Sequence, residues 1–109
     1  MPANRRASIV VLYNRPSDER EFERYYAETH GPLLGKSSPA IGIVQAELTK
    51  FGPGPDGSSP PFHRKADLWF DSEEARRKGM ATDAFRALAG DLANFATGGV
   101  TIMLGEQTN

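Results

Sequence analysis

The chain has 109 residues, 39% of them apolar, 25% charged and 9% aromatic, which is the make-up of one ordinary globular domain. Its 13 basic and 14 acidic residues leave a formal charge of −1, which argues against nucleic-acid binding by phosphate neutralisation. Zero cysteine excludes disulfides, thiol catalysis and cysteine-ligated metal clusters, and fits a cytoplasmic location.

Arg5 and Arg6 are followed by no apolar stretch of secretory length, so no signal peptide is expected. The longest apolar run, residues 9–13, is far short of the ~20 residues of a membrane helix. A single domain over residues 1–109 is expected, with its core at about 7–106. Residues 7–13 (ASIVVLY) are apolar on both parities and predict a strand covered on both faces. Asn14, Arg15 and Pro16 end it. Asp18 and Glu21 have capping-box spacing and open a helix predicted to reach about Thr29. Phe22, Tyr26 and Thr29 or His30 form its stripe, with Tyr25 beside it and Leu33 a turn further on. Gly31 and Pro32 are expected to break or kink this helix, and residues 35–42 to form a loop.

Residues 43–51 alternate as a second strand, with Val44, Ala46 and Leu48 on one face. Residues 52–61 hold four prolines and three glycines, so an irregular, mobile loop is expected. Residues 62–70 read as the third strand. Phe62, Arg64, Ala66, Leu68 and Phe70 take one face; His63, Lys65, Asp67 and Trp69 take the other. Asp71, with Glu74 at capping-box distance, opens a short helix punctuated by Gly79 and Thr82. A further helix is predicted from Asp83 to about Phe95, burying Phe85, Leu88, Ala89, Leu92 and Ala96. Thr97, Gly98 and Gly99 turn the chain into a last strand, residues 100–104, and a disordered tail is expected from Gln107.

The order β-α-β-β-α-β predicts an α+β, ferredoxin-like antiparallel sheet with helices on one face. One such layer leaves the other sheet face bare, with Trp69 and Met103 on it. A second copy of the chain is the expected cover, so a homodimer is the expected partner arrangement.

The stretch YYAETHGPLL, residues 25–34, resembles the signature of the EthD-like family of dimeric α+β barrels. SIVVLYNRP at 8–16, ADLWFDSEEA at 66–75 and LANFATGGVTIMLGE at 92–106 agree in order and spacing. The resemblance covers roughly residues 8–106. It implies a homodimer whose sheets close into one barrel, with a small cleft between sheet and helices in each subunit. Relatives on that scaffold include isomerases, cyclases, monooxygenase-type oxidoreductases, haem-binding proteins and stress-response proteins. The fold therefore leaves the reaction open. The insert at 52–61 departs from the shorter family pattern and can reshape the cleft.

His30 falls inside the family signature, and histidine is the side chain suited to acid–base work near neutral pH. It is the candidate catalytic residue; the plainer alternative is a histidine that caps its helix. Tyr13, Tyr25, Tyr26, Leu33, Phe51 and Phe85 are the residues expected to line a cleft for a small apolar or aromatic ligand, with Trp69 a further aromatic. Ordinary packing is the alternative for each.

His63 is either a second pocket residue or an exposed or dimer-edge one. No HxH, HxxH or HExxH spacing is present, and no metal site is expected. No cofactor is expected either, with haem on His30 or His63 as a subordinate reading drawn from the barrel relatives. Asp67 and Glu47 are candidate cross-strand neighbours, with salt bridges to Lys65 or Arg64 as the plainer use. Residues 52–57 match G-x-G-x-x-G, but Pro53 and Pro55 lack the N–H groups that would bind phosphate and no helix follows. The expected function is an enzyme that moves protons on a small oxygenated cyclic or aromatic molecule, as an isomerase, cyclase or cofactor-free oxygenase. A non-catalytic ligand-binding or stress-response dimer is the alternative. His30 is expected in the cleft within one subunit, away from His63 and Asp67.

Overall fold

A computed structural model describes residues 5–108. Residues 1–4, at the head of the segment searched for a leader, and Asn109, at the tip of the expected tail, lie outside the described residues. Strand β1 is Ala7–Tyr13, β2 is Gln45–Lys50, β3 is Arg64–Phe70 and β4 is Val100–Glu106. They form one antiparallel sheet in the order β2-β3-β1-β4. The fold is the ferredoxin-like α+β arrangement. Among the described residues, no helix is long and apolar enough to cross a membrane.

The alternation in β1 and β3 decides which face is covered. Ala7, Ile9, Val11 and Tyr13 are buried on the helix side with Ala66, Leu68 and Phe70. Lys65, Asp67 and Trp69 take the opposite face. There Glu47 stands across from Asp67 in the register, Lys65 pairs with Asp67 at 3.2 Å, and Trp69 Nε1 donates to Glu47 Oε1 at 2.7 Å.

The first helical segment differs from the sequence expectation. Helix α1, Glu19–Tyr25, is capped by Asp18, whose Oδ1 accepts from the Glu21 N–H at 3.1 Å. Then comes one π-helical turn, Tyr26–His30, and helix α2, Gly31–Ile41, follows without a break. Pro32 does not stop the helix because the chain widens there. The Gly31 N–H reaches back to the Tyr26 carbonyl, five residues away. A Cβ on Gly31 would lie 3.0 Å from that oxygen. Pro32 then falls in the first turn of α2, where a missing N–H costs least.

Residues 35–42 are thus helix up to Ile41, not loop. Buried Leu34 and Ile41 anchor α2, and Gly42 ends it at φ 94°, its N–H bonded to the Ser38 carbonyl at 2.8 Å. Tertiary burial outweighs the local signal of Gly35 and Pro39.

The second helical segment is α3, Glu73–Met80, and α4, Asp83–Gly90. Ser72, not Asp71, caps α3, its Oγ accepting from the Ala75 N–H at 3.1 Å. Gly79 does more than punctuate: a Cβ there would stand 2.3 Å from the Ile41 carbonyl oxygen, so its absence lets α3 close on α2. The helix predicted to reach Phe95 ends at Gly90 and tightens into a 3-10 turn, Asp91–Asn94. At the far end, the Gln107 N–H bonds the carbonyl of Arg6, just ahead of β1, at 2.9 Å, so the expected tail begins tied to the sheet.

Candidate active site

Seven elements meet around one apolar cavity. β1 supplies Ile9, Val11 and Tyr13; β3 supplies Ala66 and Leu68; the π turn supplies Tyr26 and His30. Leu34 from α2, Phe85, Leu88 and Ala89 from α4, Leu92 and the β4 residue Ile102 complete the lining. The cavity volume is about 40 Å³, room for a molecule of a few heavy atoms. Haem does not fit this space, whose walls are close-packed side chains.

Of the expected cleft residues, Tyr13, Tyr26, His30 and Phe85 are brought together here. Tyr25 sits behind the wall, stacked on Phe95 at 5.3 Å between ring centroids. Leu33 packs on the edge of the core and does not reach the cavity. Phe51 lies elsewhere, beside the 52–61 loop. Trp69 is on the opposite face of the sheet, under Arg6.

His30 is 6% exposed and its Nδ1 lies 2.8 Å from Asp91 Oδ2. Asp91 Oδ1 accepts from the Tyr25 hydroxyl at 2.6 Å and from Asn94 Nδ2 at 2.9 Å. Burial works against ionisation of Asp91, but the hydrogen bonds from Tyr25, Asn94 and His30 outweigh it and hold the carboxyl below its usual range. An ionised carboxylate only accepts, so His30 Nδ1–H donates to it. Nε2 is then the free ring nitrogen. No buried side-chain nitrogen or oxygen among the described residues lacks a partner, so Nε2, which has none, is not fully enclosed, and His30 is part of the cavity lining.

The same reasoning applies to the Tyr13 and Tyr26 hydroxyls, which make no hydrogen bond among the described residues. Burial pushes both phenols up, so they stay protonated and can donate. The Arg64 guanidinium stacks 4.6 Å above the Tyr26 ring. Phe95 locks the group together, 4.6 Å from His30 and 5.1 Å from Phe22 between ring centroids.

His63 is away from this cavity, and its face differs from the sequence expectation. β3 begins at Arg64, so His63 precedes the alternation and turns toward α1. It is 7% exposed, with Phe22 at 4.9 Å and its Nε2 3.1 Å from Glu23 Oε2. Neither His63 nor Asp67 bonds His30.

Sequence reasoning missed Asp91, Phe95 and Glu23. Asp91 carried one signal: it follows Leu88 by three residues, which puts a carboxylate on an apolar helical stripe. Phe95 carried a similar signal, three residues after Leu92 on the predicted helix.

The model of the EthD domain family matches residues 14–99, and the chain belongs to that family. It is 29% identical over 99 residues to an uncharacterised 11.0 kDa protein from the thcB–thcC intergenic region of Rhodococcus erythropolis, covering 91% of this chain and 92% of that one. The crystal structure of an EthD family protein from Bacillus halodurans superposes with a TM-score of 0.83 at 29% identity, covering 94% of this chain and 99% of that chain. Two more distant structures share the fold. The hydroxynitrile lyase of Passiflora edulis has a TM-score of 0.71 at 12% identity, over 99% and 97% of the two chains. A dimeric ferredoxin-like protein from Thermobifida fusca has 0.65 at 12%, over 95% and 92%.

Proposed function

We propose that the protein is an enzyme that moves a proton on a small, largely apolar oxygenated molecule, with His30 as the acid–base residue and Asp91 as its positioning partner. The observation that carries this reading is the 2.8 Å His30–Asp91 pair, with the other ring nitrogen free at an apolar cavity. A base in such a place is oriented and kept from bulk water. The fold carries small-molecule enzymes, the hydroxynitrile lyase among them.

In the reaction we infer, His30 Nε2 takes a proton from a carbon beside a carbonyl, or from a hydroxyl. The C–H or O–H electron pair stays on the substrate and its charge settles on oxygen. The Tyr13 and Tyr26 hydroxyls are the donors available to that oxygen. Asp91 stabilises the imidazolium that forms. Return of the proton at another atom completes an isomerisation; cyclisation and cofactor-free oxygenation start from the same deprotonated species. No step requires a cofactor for the proton transfer itself.

The working unit in this reading is a homodimer. Ile102 and Leu104, on the edge strand β4, are 48% and 55% exposed, and Met103 is exposed on the bare face. Exposed apolar side chains on both faces of this edge strand favour a partner. The dimeric Thermobifida fusca structure of the same fold supports it.

A thermal-shift screen of small ketones, hydroxy ketones and lactones of a few heavy atoms, followed by NMR assay of the hits, tests the function. His30→Gln is expected to lower turnover by about 10²–10⁴-fold. Full turnover in that variant removes His30 from the reaction. Saturable binding with no product over long incubation favours the ligand-binding alternative.

A further inference from the structure

His63 forms a second histidine–carboxylate pair that the reading above does not use. Its partner Glu23 is gripped by Arg64, whose Nε and Nη2 each donate to one carboxylate oxygen at 2.8 Å, and Lys50 Nζ stands 3.7 Å away. Arg64 chiefly, with His63 and Lys50, pulls the Glu23 carboxyl down to about 2. The ionised carboxylate accepts from His63 Nε2–H, which leaves Nδ1 as the free nitrogen. His63 Nδ1 has no partner among the described residues, where no buried side-chain nitrogen or oxygen goes without one. It therefore reaches open space.

That space is a pocket of about 220 Å³ beneath residues 52–61, larger than the cavity at His30. Phe51, Pro53, Pro60 and Phe62 give it apolar walls. The loop that borders it is held in shape by its own bonds: Gly54 N–H to the Ser58 carbonyl, and Ser58 N–H and hydroxyl to Asp56 Oδ1. Two charged side chains border it. Glu19 faces Lys50 at 3.6 Å, whereas Arg15 is exposed and makes no ion pair among the described residues. The rings of Phe22 and Tyr26 stand between this pocket and the cavity at His30.

We propose that this pocket is a second ligand site, for a small hydroxylated aromatic carboxylate. The ring lies between Phe51 and Phe62, the carboxylate pairs with Arg15, and the hydroxyl donates to His63 Nδ1. The volume is below that of a site for drug-sized ligands, so the ligand is a single ring. A guanidinium is suited to the carboxylate, and in the neutral tautomer that donates through Nε2 the His63 Nδ1 is an acceptor for the ligand. The site is independent of His30 and of the reaction assigned to it.

The test uses the whole chain, in which His30 and His63 are the two histidines, so their ring NMR signals are assigned with His30→Gln. 2-, 3- and 4-hydroxybenzoate are the probes, with benzoate as the control lacking the hydroxyl. At least one isomer is expected to shift the His63 signals saturably, with a Kd on the order of 1 mM for a ligand of this size, and to leave those of His30 in place. Benzoate should bind less tightly. Arg15→Gln, an exposed change that leaves the core intact, should weaken binding by about tenfold. Shifts confined to His30, no shift with any isomer, benzoate binding as tightly as the hydroxybenzoates, or wild-type binding by Arg15→Gln would each overturn the proposal.

Discussion

His30 and Asp91 are 61 residues apart in sequence and 2.8 Å apart in space, and the Tyr25 hydroxyl occupies the other Asp91 oxygen at 2.6 Å. The carboxylate is thus filled on both oxygens and sets one orientation for the imidazole. Asp91→Asn exchanges an obligate acceptor for an amide that can accept or donate. The expected outcome is loss of the Nδ1–H preference of His30, read from its ring ¹⁵N shifts. Turnover of an identified substrate should fall by about 10²–10⁴-fold. Unchanged ring shifts would separate Asp91 from the role given to it.

Glu23 connects the fold to pH. Its folded-state value, about 2, is below the ordinary 4.5, with the Arg64 hydrogen bonds as the largest cause. A lowered value means stability that is fully present above about pH 4.5 and lost as pH falls toward 2. Asp91, also lowered, acts in the same direction. Glu23→Gln removes its share. The urea midpoint of that variant should fall less steeply than the wild type's between pH 4.5 and 2, and equal slopes would contradict the assignment.

Gly79 is the point where α3 touches α2. An added methyl group would stand 2.3 Å from a backbone oxygen and 2.8 Å from the Phe70 ring, and backbone gives way least. Gly79→Ala should therefore cost about 3 kcal/mol in urea unfolding, although alanine is the better helix former. A variant as stable as wild type would show that the two helices separate freely.

Leu88 is both core and cavity wall. Leu88→Ala should lower stability by about 2–5 kcal/mol and enlarge the small cavity. Ligands too large for the wild type should then give a thermal shift with the variant. A variant that selects the same ligands would place the binding site elsewhere.

Leu104 lies on the open edge of the sheet, on the same face as Ile9 beside it in the register. Leu104→Lys places a charge on the strip assigned to the dimer contact. Light scattering at micromolar concentration should show a dimer for wild type and a monomer for the variant. A wild-type monomer would remove the dimer from the functional reading.

Much of the fold was legible because it follows local periods. Strand β1 was legible as a continuous apolar run and the faces of residues 64–70 as alternation, and the resemblance of residues 25–34 pointed to His30. The misreadings share one cause. Gly31, Pro32, Gly35 and Pro39 look like helix breakers to any local rule, yet a π turn and the buried Leu34 and Ile41 carry the helix through them. His63 was placed on the wrong face because the alternation was run from Phe62, two residues before β3 begins.

By itself the sequence determined a cysteine-free α+β sheet with helices on one face, an EthD-type signature and His30 as the residue to watch. Those properties depend on composition and on neighbours a few positions apart. Tertiary structure alone decided what His30 does with its two nitrogens. The partner that turns it is Asp91, set by the place where α4 tightens into a 3-10 turn, and the partner that turns His63 is Glu23, on a different helix. Hydrogen bonds between residues about 40 to 61 positions apart leave no period in a sequence, because only the packing of separate elements brings them into reach.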